Sequence, residues 1–126
     1  MADSPRKALA LARAAAGAVR SLNHATLGGA GLAQPADAYE LIGDLSLTAA
    51  SLPQLLNQIS RWLASALATG RLGCDDSTDP AAAISGARLA LSAARAAAAA
   101  LARDLDQAQQ HLSAVNGGPL PEGELS

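Results

Sequence analysis

The sequence predicts an all-α fold: an antiparallel bundle of three to four helices with one long C-terminal helix. Three observations carry this. Half of the 126 residues are hydrophobic, yet only 2% are aromatic and phenylalanine is absent, so a core must be built from alanine and branched aliphatics. β-Branched residues nowhere alternate with polar ones, which removes the signature of a strand. Near the C-terminal end, apolar residues recur at alternating steps of three and four: Ile84, Ala87, Leu91, Ala94, Ala98, Leu101, Leu105, Ala108, Leu112, Val115. That is the seam of a coiled-coil or bundle helix.

A first helix is expected from Pro5 to about His24, capped by Ser4. Leu9, Ala12, Ala16 and Val19 share one face, with Leu11, Ala15, Ala18 and Leu22 beside it, while Arg6, Arg13 and Arg20 form a stripe at seven-residue spacing. Gly28, Gly29 and Gly31 end the helix in a flexible connection.

A second helix opens at Gln34–Pro35 and runs to about Ala50, with Leu41, Leu45, Thr48 and Leu52 on its apolar edge. Asp37, Glu40 and Asp44 make an acidic stripe on it. If the first two helices form a hairpin, Arg20 comes near Asp37 or Glu40 and Arg13 near Asp44. Exposed pairs of this kind are worth only ~0.2–1 kcal/mol each and select register more than they stabilise. Pro53 leaves two alternatives. Ser51-Leu52-Pro53-Gln54 reads as a capping box that starts a new helix, or the helix continues with a kink because the proline ring clashes with the carbonyl of Ala49. A kink or tight break fits better than a wide turn, since no glycine or asparagine sits there. The segment Leu52–Thr69 is the richest in large apolar side chains: Leu52, Leu56, Ile59, Leu63 and Ala66, widened by Leu55, Trp62 and Leu67.

Gly70 and Gly73 end that segment, and residues 74–79 lead into the long helix. Asp79 caps it and Pro80 occupies its first position. Asn116, Gly117, Gly118 and Pro119 stop it. At ~1.5 Å per residue the rod is roughly 54 Å long, about twice the first helix. Segments two and three, if nearly collinear, match it as an antiparallel partner. The first helix then covers only half of that pair, leaving a groove for a second chain. Residues 1–116 read as a single helical-bundle domain and 117–126 as a disordered tail.

Composition narrows the function. The formal net charge of −2 gives no push toward nucleic acid or an acidic membrane. Cys74 is the single cysteine, which fits a cytoplasmic setting. No apolar run reaches the ~18 residues of a membrane span, and Arg13 and Arg20 interrupt what could otherwise be a signal peptide. Arg6, Lys7, Arg13 and Arg20 could track phosphates, but the nearby acidic stripe and the shortage of aromatics favour a solvated or hairpin-paired face. Arg88 and Arg95 flank the long seam, where such residues solubilise or steer partner choice.

Asp75, Asp76 and Asp79 lack the spacing of a calcium loop. His24 and His111 have no companion at metal-binding spacing, and two aspartates beside Cys74 disfavour its thiolate. No phosphate loop or nucleophile elbow is present. The expectation is therefore no enzyme, cofactor or metal. Trp62 belongs to the core or an interface, and if exposed it is the best anchor in the chain.

Secreted helical hairpins of the type VII class share this size, but their Trp-x-Gly turn is absent, because Trp62 is followed by Leu63 and Ala64. The stretch from Leu52 to Leu63, followed by a Gly-Arg-Leu loop and Asp79-Pro80, resembles small Ala/Leu-rich helical proteins of GC-rich actinobacteria over residues 37–115. That resemblance implies a bundle and supplies no activity.

The expected function is a helical interaction module that self-associates or packs against a helical partner protein. Its contact residues would be Ile84, Leu91, Leu101, Leu105 and Leu112 on the long helix, with Leu56, Ile59, Trp62 and Leu63. The alternative is an accessory nucleic-acid binder using Arg6, Arg13 and Arg20.

Overall fold

The computed structural model describes residues 5–29 and 31–118. The cap expected at Ser4 and the tail beyond Gly118 lie outside them. Among the described residues all regular structure is helical, with no strand: α1 (Pro5–Ala25), a single 3-10 turn (Leu27–Gly29), α2 (Pro35–Ala68) and α3 (Pro80–Leu112). No helix is long and apolar enough to cross a membrane. The chain divides into two compact units, Tyr39–Val115 and the remainder, Met1–Ala38 with Asn116–Ser126.

In the second of these, α1 has no buried residue. Its last turn closes where the N–H and hydroxyl of Thr26 both reach the carbonyl of Leu22. The start of α2 is held by Asp37, which stands in the first turn and accepts from the N–H groups of Ala33 and Gln34 at 2.9 Å each. This is the backward-reaching half of a capping box, with Pro35 at the first helical position. Both bonds favour the charged carboxylate, Ala33 the more, and hold Asp37 below the usual aspartate range.

The unit Tyr39–Val115 is a two-helix hairpin. Pro53 lies inside α2 and does not end it. The capping-box reading of Ser51 fails, because its hydroxyl donates to the carbonyl of Leu47 at 3.0 Å. Thr48 does the same to Asp44. Back-bonding of this kind bends a helix, and it falls on the turn where Pro53 brings no N–H to the carbonyl of Ala49. So α2 crosses the proline, and its 34 residues match the 33 of α3.

Three hydrogen bonds fix the register of the two helices. The amide of Gln109 donates to the carbonyl of Tyr39, the hydroxyl of Ser46 to the carbonyl of Ala102, and Nε of Arg88 to Oγ of Ser60. From Tyr39 to Ser46 is one heptad, as from Gln109 to Ala102; from Ser46 to Ser60 is two, as from Ala102 to Arg88. The helices are therefore antiparallel with no slippage along their length.

Between them lie Ile42, Ala49, Leu56 and Leu63 from α2, and Ile84, Leu91, Ala98, Leu105 and Leu112 from α3, all half-buried except the fully buried Ala49 and Ala98. The long helix ends at Leu112 rather than at Val115, because Ser113 closes it, its N–H and hydroxyl both meeting the carbonyl of Gln110. At its other end Asp79 caps as expected, accepting from the N–H of Ala81 at 3.1 Å.

Candidate interaction surface

The hairpin has two sides that differ in chemistry. In an antiparallel pair, the columns flanking the seam meet like with like, so each side is built from one column of each helix. On one side stand Leu45, Leu52, Ile59 and Ala66 of α2 beside Ala87, Ala94, Leu101 and Ala108 of α3. None of these eight residues is polar. Ile59 is 42% and Leu101 49% exposed. One step further round α2 come Leu55 and Trp62, also exposed, which widen the apolar face.

The opposite side is small and polar. Gly43, Asn57 and Ala64 stand there beside Ser85, Ser92 and Asp106, and two shallow grooves indent it. One runs past Glu40, Gly43, Asp44, Asp106 and Gln109. A Cβ at Gly43 would collide with the amide of Gln109, so the bare glycine is what admits that side chain. The other groove passes Ala64, Leu67, Ala81 and Arg88.

Trp62 is 57% exposed and is presented by the end of α2. There the N–H of Arg71 returns to the carbonyl of Ala66 and that of Gly70 to Leu67, with Gly70 at φ 70°. This is the double-bonded helix stop that requires a left-handed residue. It carries Arg71 back over the indole, with its guanidinium carbon 5.7 Å from the ring centroid. The loop that follows is self-contained. Asp76 accepts from the hydroxyl and N–H of Thr78, chiefly the hydroxyl, which holds its carboxyl below the usual aspartate range. With Asp79 engaged as a cap, the acidic cluster is used for backbone geometry. Among the described residues no group of three or more His, Cys, Asp or Glu side chains is placed to hold a metal ion.

The residues expected at an interface thus fall into two sets. Ile84, Leu91, Leu105, Leu112, Leu56 and Leu63 are half-buried within the hairpin, whereas Ile59, Trp62 and Leu101 stand exposed. Arg6, Arg13 and Arg20 are exposed on α1, in the other unit. Sequence reasoning missed the column Arg88, Arg95, Ala102 and Gln109, polar but for Ala102, which faces α2 rather than flanking the seam. Its seven-residue match to Ser46 and Ser60 was the available signal. Compared with known proteins, the chain matches no family model, no curated protein and no solved structure.

Proposed function

We propose that the chain is a non-enzymatic helical interaction module, which completes its core by packing the apolar face of the Tyr39–Val115 hairpin against further helices. One observation carries the reading: an uncharged two-column face on which Ile59, Leu101 and Trp62 are about half exposed. Two helices share a single seam, and among the described residues only Ala49, Ala66, Ala98 and Ser60 are buried. A core that small leaves little to offset the entropy of ordering two long helices. Further helices on the apolar face would make a bundle of three to four, the commonest way to bury such a surface.

The test is Leu101→Asp, compared with wild type by light scattering and by thermal melting. If the face is occupied, the variant loses mass or melts well below wild type, while Leu105→Asp, in the hairpin seam, unfolds the unit outright. An isolated exposed leucine would tolerate aspartate within about 0.5 kcal/mol. Unchanged mass and melting in both Leu101→Asp and Ile59→Asp overturns the reading. Salt-sensitive retention on DNA, lost when Arg6, Arg13 and Arg20 are all replaced by alanine, would move the function to α1.

A further inference from the structure

Resting on that reading, we infer that the occupant of the apolar face is a second copy of this chain, seated with its α2 over this chain's α3. The argument is one of shape. At two levels of the face the register sets a large residue of α2 beside a small one of α3, Leu52 beside Ala94 and Ile59 beside Ala87, and at the next it sets Leu45 beside Leu101. Over those two levels the face is a ridge next to a hollow, and at its Leu45–Leu101 end both columns present leucine. A two-fold axis parallel to the helices lays the ridge of each copy into the hollow of the other, Leu52 over Ala94 and Ile59 over Ala87 twice. Interdigitation of large with small is how tightly packed cores form.

The same axis makes every neighbouring pair of helices antiparallel, as within the hairpin, which is the up-down arrangement of a four-helix bundle. The other face-to-face arrangement, α2 on α2, would stack ridge on ridge and leave the alanines facing a void.

Size and charge agree. The columns run over ~33 Å at the helical rise. With two helices of ~10 Å diameter side by side, the face has a footprint of about 650 Å², the scale on which a partner contributes its ~800 Å² of accessible surface to a stable interface. No charged residue stands in either column, so nothing on the face selects against an identical surface or demands a complementary one.

The experiment uses two single variants of the full chain. Ala94→Leu fills the hollow and Leu52→Ala removes the ridge. Wild type should show twice the chain mass of 12.5 kDa by light scattering. Each variant alone should dissociate at concentrations at least tenfold higher than wild type. An equimolar mixture should recover the dimer, because the hetero-pair seats leucine against alanine at both contacts. Neither variant can be rescued within its own hairpin, so recovery on mixing reads the contact between copies.

A wild type that stays monomeric, or a mixture that fails to recover, overturns the second copy. If that monomer's melting still falls in Leu101→Asp, the face is covered by further helices of the same chain, and the reading that it is a packing face stands. If neither mass nor melting responds, both fall together.

Discussion

Arg88 donates from Nε to the hydroxyl of Ser60 at 3.0 Å, and one heptad along the same register Arg95 meets Pro53, which offers it nothing. The rungs on both sides of this one are made, Ser60–Arg88 and Ser46–Ala102. At the Pro53 level, Nε of Arg95 is buried with no hydrogen-bond partner. The carbonyl of Ala49 loses its helical donor in the same place. Two deficits of backbone and side-chain bonding therefore coincide in the middle of the hairpin.

Pro53→Ser should repair both. Serine is the residue one heptad away in either direction on α2, so its hydroxyl has the geometry to accept from Arg95, and its N–H can reach Ala49. An unsatisfied buried donor costs about 1–3 kcal/mol and an interior proline about 3, so a gain of at least ~1 kcal/mol is expected in a denaturant melt. A variant no more stable than wild type would show that Pro53 relieves strain elsewhere.

Two glycines should respond with opposite signs. Gly86 lies in α3 with nothing near its missing side chain, so Gly86→Ala should stabilise by about 0.5–1 kcal/mol through helix propensity. Gly70 is at φ 70° in the stop that ends α2, so Gly70→Ala should destabilise by ~1 kcal/mol or more. Equal shifts in the two variants would contradict the backbone assignment.

Asp37 makes the start of α2 acid-sensitive. Its carboxyl is held below the usual aspartate range by the N–H groups of Ala33 and Gln34, so the unfolded chain takes up this proton first as pH falls. The contribution of the cap is complete above the ordinary aspartate range and is lost progressively as pH falls from about pH 4 through the lowered folded-state value. The protection factors of the Ala33 and Gln34 amides, corrected for the intrinsic pH dependence of exchange, should fall over that interval in wild type. In Asp37→Asn the fall should be absent; seeing it unchanged would place its origin in another carboxylate.

Trp62 is the single tryptophan of the chain, which makes its fluorescence a local probe. Arg71→Ala removes the cation from its ring, a contact worth ~0.5–1 kcal/mol at an exposed place. Emission should change while helix content stays constant. A spectrum identical to wild type would mean that the guanidinium does not dwell on the indole in solution.

The period of α3 was legible from its sequence; its phase was not. Ile84, Leu91, Ala98, Leu105 and Leu112 do face α2, and they belong to either of two stripes. Apolarity alone selected Ala87, Ala94, Leu101 and Ala108 as their companions, because the competing column contains Arg88, Arg95 and Gln109. That preference misled for a physical reason. Alanine gains little from burial, while an arginine can lay its long stem in a seam and let its head find a hydroxyl such as that of Ser60. The helix rotates accordingly, and Leu101 is left outside. Caps fared better, since Asp79-Pro80 carries its geometry in two adjacent residues. The continuity of α2 across Pro53 depended on a partner about forty residues away in the chain, beyond the reach of local reading.

The constant register from Tyr39–Gln109 to Ser60–Arg88 also restricts how this chain can change in length over generations. A residue inserted into α2 alone would turn every later rung by about 100° away from its mate. Gains or losses within the helices should therefore survive only as paired blocks of seven, one in each arm. Single-residue changes are confined to the loop from Thr69 to Asp79, where related chains should differ most in length.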